Sequence, residues 1–181
     1  MVEPDDFEPN RAYPLIILLH GYGAHMSDLT GLSPMIDSQN YIYAFPNGPI
    51  SLTIGYGIQG YAWSASVDGR ADEGLQSSAD NLIGLFEEIT EQYKIDPDKV
   101  VLGGFSQGGM MAYLCGLPNP STFAGIAALS SKIPEPTKLE SLLPEDKSQL
   151  IFISHGTADP LLAVENGRHA RLFLEQNEYS P

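Results

Sequence analysis

Cysteine is almost missing from this sequence. Cys115 stands alone, which excludes an intrachain disulfide and any zinc cage built from several thiolates, so nothing calls for an oxidising compartment or a metal-organised core. Basic residues are scarce as well: nine Lys and Arg stand against 23 Asp and Glu, a net charge of −14. A surface this acidic repels phosphate backbones and anionic lipid alike, so no nucleic-acid partner is expected. Long apolar runs are also lacking. Runs such as Pro14 to Leu19 are too short to span a bilayer, and Met1 to Asn10 is acidic where a signal peptide is basic and then apolar. The expectation is a cytoplasmic protein without membrane insertion. What remains is 181 residues, 43% apolar and 18% charged, enough for the core of one domain.

The apolar residues fall into short continuous runs: Leu15 to Leu19, Tyr41 to Phe45, Val100 to Leu102, Gly125 to Leu129 and Leu150 to Ser154. Each is closed by Gly, Pro, Asn, Ser or His, the pattern of strands buried on both faces. Helical stretches lie between them. Asp72 to Tyr93 sets Leu75, Ala79, Leu82, Ile83, Phe86 and Ile89 at three- and four-residue steps, and this helix is expected to stop near Asp96-Pro97. A second helix is expected from Gln107 to just before Pro118, and a third from about Ala163 to Gln176. Strand alternating with helix predicts an α/β fold, a mainly parallel central sheet with helices on both faces. Pro46 to Arg70 reads as an irregular, glycine-rich loop whose Tyr56, Tyr61 and Trp63 suit a pocket wall or a surface excursion equally. Pro134 to Pro144 reads as a solvated connection with about one helical turn.

The chemistry concentrates at three strand ends. Val100 to Leu102 runs into Gly103-Gly104-Phe105-Ser106-Gln107-Gly108-Gly109, a G-x-S-x-G between a strand and a helix. A serine on so sharp a turn projects its hydroxyl at the carboxyl edge of the sheet, which makes Ser106 a nucleophile candidate. An acyl-transfer serine needs two backbone donors for its oxyanion. Gln107 N–H, next to the serine, and Tyr22 N–H, in the His20-Gly21-Tyr22-Gly23-Ala24 turn after the first strand, fit those roles. That turn does not suit a dinucleotide, because Met26 stands where the third glycine of the fingerprint belongs. His20 reads as a residue that shapes the loop. Asp159, after the Leu150 to Ser154 strand, follows Ser106 in the order serine, acid, histidine. Cys115 reads as a packing residue.

These motifs, with Ala44-Phe45-Pro46-Asn47-Gly48-Pro49 and Trp63, resemble the phospholipase/carboxylesterase family of α/β-hydrolases, which includes bacterial carboxylesterases and acyl-protein thioesterases. The resemblance runs from about Pro14 to the end. It implies Ser106 as nucleophile, Asp159 as the acid of the triad, the amides of Tyr22 and Gln107 as oxyanion hole, and hydrolysis of short to medium acyl esters without cofactor or metal. Trp63 and Tyr61 are the expected substrate-pocket residues, and a small-molecule ester is the expected partner. The family's base histidine stands roughly thirty residues beyond the acid. None of His20, His25, His155 and His169 matches that position. The expectation is therefore that residues 1–181 form a single α/β-hydrolase domain whose last strand and base-histidine loop lie beyond Pro181. The Leu150 to Ser154 strand would then expose an edge to its own C-terminal fragment or to a second copy. Rival readings are a non-catalytic binding module with a hydrolase-like pocket, a peptide hydrolase, and a thioesterase or lysophospholipase on the same scaffold.

The charge balance already has a measurable consequence. Raising salt from low values screens the mutual repulsion of the acidic groups, so the melting temperature should rise by a few degrees. A steady fall across a sodium chloride series would contradict it.

Overall fold

A computed structural model describes residues 1–66 and 73–181. The expected helix start at Asp72, and Gly69 and Arg70 at the end of the expected loop, lie outside the described residues. In chain order the elements are β1 (Tyr13–Leu19), α1 (Ser27–Thr30), α2 (Ser33–Ile36), β2 (Ile42–Ala44), β3 (Ile50–Ile54), β4 (Ile58–Ala62) and α3 (Glu73–Gln92). They continue with β5 (Ile95–Phe105), α4 (Gln107–Met111), β6 (Gly125–Leu129), α5 (Pro136–Glu140), β7 (Leu150–Ser154) and α6 (Glu165–Gln176). Five strands form one sheet in the order β2-β1-β5-β6-β7, and every neighbouring pair is parallel. The chain winds outward from β1 to β2, then crosses back to β5 and winds the other way. Loops leaving β1 and β5 therefore diverge over a crevice at the carboxyl edge, the position where open parallel sheets bind ligands.

Burial follows the sequence pattern. On one face, Leu15, Ile17, Leu102, Ile126 and Ala128 pack with Leu75, Ala79, Leu82 and Ile89 of α3 and with Ala170 and Leu174 of α6. On the other, Leu18, Tyr43 and Phe45 pack against Leu29 of α1 and the nearby Leu32. A mainly parallel sheet with helices on both faces is thus present as expected.

Four local expectations need correction. Pro46 to Arg70 is not irregular throughout, because β3 and β4 pair as an antiparallel hairpin, Ile50 opposite Ala62. Ile50, Leu52 and Ile54 alternate with Ser51 and Thr53, a period-two signal that the surrounding glycines mask. The long helix stops at Gln92, short of Asp96-Pro97, because β5 already begins at Ile95, opposite Tyr13. The helix after the elbow is not uniform: α4 gives way to one π-helical turn, Ala112–Gly116. The last helix begins at Glu165 rather than Ala163.

β7 is an edge strand, and Leu150 and Phe152 are 76% and 60% exposed. Beside them a cavity of about 460 Å³ is lined by Pro14, Val101, Ala127 and Phe152. It holds none of the expected site residues. No helix among the described residues is long and apolar enough to cross a membrane.

Glycine matters most where backbones cross. A Cβ on Gly108 would fall on the Leu19 carbonyl, and one on Gly104 on the Gly108 backbone. Gly84, inside α3, has open space around it. Gly108→Ala should therefore lower the unfolding free energy by about 1–3 kcal/mol, whereas Gly84→Ala should raise it by about 0.5–1 kcal/mol. Urea denaturation of the pair decides; an unchanged midpoint for Gly108→Ala would contradict the crossing.

Candidate active site

Ser106 joins β5 to α4 with φ 54° and ψ −115°. A side chain rarely adopts this region, and a strained serine between facing glycines has its hydroxyl turned out of the strand. The turn is pinned on both sides: Ser106 N–H donates to Leu129 O at 2.9 Å, and Met110 N–H donates to Ser106 O at 3.1 Å. Ser131 Oγ–H gives the same carbonyl a second bond at 2.8 Å.

The turn after β1 lies against this elbow. A Cβ on Gly21 would meet Ser106 Cβ at 3.4 Å and Phe105 Cδ1 at 3.3 Å. Gly23 N–H is taken by Tyr61 O at 2.8 Å and Ala24 N–H by Gly21 O at 3.2 Å. Tyr22 N–H has no acceptor among the described residues. Gln107 N–H is in the same state, because it opens the helix and no intrahelical carbonyl precedes it. Two free backbone donors thus flank the serine.

His20 shapes the loop, as the sequence suggests. Gly48 N–H donates to its Nε2 at 3.0 Å, so the neutral ring carries its proton on Nδ1 and donates to Gly21 O at 2.8 Å. Burial holds its pKa below the ordinary 6.5. Both nitrogens are occupied, and His20 has none to offer Ser106.

Asp159 sits on the loop after β7. Its Oδ1 accepts Leu161 N–H at 2.9 Å and Leu162 N–H at 3.0 Å. The bond from Leu162 does most to hold its carboxyl below the usual carboxylate range, followed by that from Leu161, with the Ser130 hydroxyl and His155 adding to it. Ser106 N–H is tied to Leu129 O and Ser130 N–H to Ser154 O at 2.7 Å, so the elbow and the loop that carries Asp159 leave the sheet on either side of the end of β6. His155 Nε2 lies 3.7 Å from Asp159 Oδ2 but donates to Leu162 O at 2.8 Å. Glu165, one turn before His169, pairs with Arg168 at 2.9 Å. No histidine is hydrogen-bonded to Ser106 Oγ among the described residues.

The expected pocket residues need revision. Trp63 is only 2% exposed and belongs to the core, its Nε1–H donating to His20 O at 2.9 Å. An indole whose face and N–H are both used inside cannot serve as an open wall, so Trp63 lies behind the site. Tyr61 is half-buried, with its ring 5.4 Å from that of His25. Tyr56 stands in solvent at the hairpin tip. No sequence signal marks the role of the Gln107 side chain: Oε1 accepts Trp63 N–H at 2.8 Å, and Nε2 donates to Ser64 O at 3.1 Å and Ser66 O at 3.0 Å. Cys115 is buried near Ala79 O, its thiol pushed up to about 12 by burial and, to a lesser degree, by Asp80. It is a packing residue.

Comparison with known proteins agrees with this geometry. The phospholipase/carboxylesterase family matches residues 7–179. The chain belongs to that family. It is 33% identical over 179 residues to acyl-protein thioesterase 1 of Mycosarcoma maydis, covering 88% of this chain and 75% of that protein. SOBER1 of Arabidopsis thaliana superposes with a TM-score of 0.79 at 26% identity, over 93% of this chain and 86% of its own. Esterase PE8 superposes with a TM-score of 0.78 at 27% identity, over 94% and 81%. The α/β-hydrolase fold and the ester-hydrolase class expected from the motifs are borne out.

The His20 arrangement predicts a pH response. Its folded pKa is lowered, so the unfolded chain takes up the proton first as pH falls; the associated stability is complete above about 6.5 and is lost below it. Protonated Nε2 would also face the Gly48 N–H, donor against donor. The melting temperature should fall between pH 7 and pH 5, and His20→Gln should reduce that slope. An equal slope in the variant would contradict the assignment.

Proposed function

We propose that this protein is a serine hydrolase that cleaves carboxylic esters of short to medium acyl chains through an acyl-enzyme. The observation that carries the reading is the pair of amides, Tyr22 N–H and Gln107 N–H, that have no acceptor among the described residues and stand beside the strained Ser106. Ser106 Oγ attacks the ester carbonyl carbon while its proton passes to a histidine base. The carbonyl oxygen becomes an oxyanion between the two amides. Collapse expels the alcohol, which leaves with the base's proton, and water then repeats the sequence to release the acid. Asp159 orients the imidazole and balances its positive charge.

Neither His20 nor His155 is the base in this reading. His20 has both ring nitrogens engaged, and the Nε2 of His155 is committed to Leu162 O. A thioester is a second substrate class, favoured by the relative of Mycosarcoma maydis, which is an acyl-protein thioesterase by name. The chemistry at Ser106 is the same, with a thiol as leaving group.

Ser106→Ala should cut turnover of short p-nitrophenyl esters by about 10⁴-fold or more, with the melting curve unchanged. Rapid labelling of the wild type by a fluorophosphonate, lost in Ser106→Ala, separates an activated serine from an inert binding module. Turnover near wild type in the variant would sink the proposal. Matched acetyl-to-octanoyl ester and thioester series then decide between the two leaving groups.

A further inference from the structure

Each amide assigned to the oxyanion belongs to a peptide plane whose carbonyl points the opposite way. Tyr22 N–H shares its plane with Gly21 C=O, and Gln107 N–H shares its plane with Ser106 C=O. Holding the carbonyl therefore aims the amide. Both carbonyls are held twice. Gly21 O accepts Ala24 N–H at 3.2 Å and His20 Nδ1–H at 2.8 Å. Ser106 O accepts Met110 N–H at 3.1 Å and Ser131 Oγ–H at 2.8 Å. In each pair one donor is the local backbone and the other is a buried side chain.

We propose that Ser131 and His20 are positioning residues for the oxyanion hole, each fixing from behind the peptide plane that presents one of the two donors. The proposal rests on the reading of Tyr22 and Gln107 as those donors. The surroundings of both side chains support it. Ser131 is buried, and a Cβ on Gly109 would stand 2.6 Å from its Cβ, so the second glycine after Gln107 leaves the room that Ser131 needs to reach Ser106 O. His20 is buried too, and Gly48 N–H on its Nε2 fixes the tautomer that puts the proton on Nδ1. A strut joins the two planes: the Gln107 side chain holds Trp63 N–H, and the Trp63 indole donates to His20 O. Ser78 Oγ–H of α3 holds Trp63 O at 2.6 Å. The spacing between the donors is thus set by one connected set of buried hydrogen bonds, and the incoming oxyanion does not have to organise it.

The test exploits the two ends of the imidazole. Asn places an amide N–H where Nδ1 stands, and Gln places an acceptor where Nε2 stands. Steady-state kinetics on a p-nitrophenyl ester should show kcat reduced about 10- to 100-fold in Ser131→Ala and His20→Gln, with KM within about twofold, since an ill-aimed donor weakens the transition state more than the substrate complex. His20→Asn should recover at least half of the loss, on a logarithmic scale, relative to His20→Gln. Affinity for a trifluoromethyl ketone, whose adduct carries the oxyanion, should fall in parallel with kcat. Trp63 is the sole tryptophan, and its emission checks that the core is intact in each variant. If His20→Gln outperforms His20→Asn, His20 acts by holding Gly48 and the proposal fails for it; unchanged kcat in Ser131→Ala defeats the other half. Loss of fluorophosphonate labelling in the wild type itself, or turnover by Ser106→Ala, would instead strike the reading of the site and take this proposal with it.

Discussion

A helix can begin directly against the end of a neighbouring strand only if the residue at the crossing has no side chain. Gly108 is that residue, with the Leu19 and His20 carbonyls where its Cβ would be. Gly104 clears the same space from the strand side. Because α4 can sit this close to β1, the turn after β1 and the turn after β5 come side by side across the point where the sheet reverses its winding. The two free amides and the serine between them follow from that proximity. So does the cost, since Ser106 at φ 54° carries backbone strain on the order of 1–3 kcal/mol. The Leu129 carbonyl, the Met110 amide and the Ser131 hydroxyl hold it there.

The electrostatics of the site fit an acidic protein. With a net charge of −14, an oxyanion of the kind proposed for this site would find little help from the surface, and no lysine or arginine is among the residues that build the elbow and the turn after β1. Stabilisation must come from oriented dipoles at short range. Such dipoles act only if they are already aimed, because a mobile amide spends the interaction on its own reorganisation. This is why so many buried polar side chains gather around the turn: His20, Gln107, Ser131 and Ser78 are all buried, and each is hydrogen-bonded to the backbone.

What could be read from the sequence follows the range of the interaction. Gly125–Leu129 and Leu150–Ser154 agree with the structure at both ends, because continuous apolar runs between breakers are a local signal. The elbow and the turn after β1 were legible for the same reason, each being a glycine pattern at a strand end. The β3–β4 hairpin was hidden by its glycines, and the start of β5 by Asp96 and Pro97. Trp63 misled because an aromatic in a glycine-rich stretch looks exposed, whereas its indole N–H has a buried acceptor 43 positions away. Ser131 leaves no mark at all. Its bond to Ser106 O spans 25 positions, and a serine after a strand carries nothing that announces it.

The hairpin changes what the stretch after β2 does for the site. Gly23 N–H bonds Tyr61 O at 2.8 Å and Tyr61 N–H bonds Ala24 O at 2.9 Å, so the turn after β1 is stitched to β4 as if it were a third strand. A Cβ on Gly60 would fall on the Gly23 carbonyl, which shows how closely the two backbones approach. The same ladder consumes the Gly23 amide and leaves that of Tyr22 free. The aromatic stretch therefore meets the turn after β1 through its backbone at Tyr61 and through the buried Trp63, while Tyr56 stands in solvent at the tip. Any acyl group held by these donors meets a turn that is fastened on one side by His20 and on the other by β4. In the proposed reading, the place of the substrate carbonyl would thus be set by the fold before the substrate arrives.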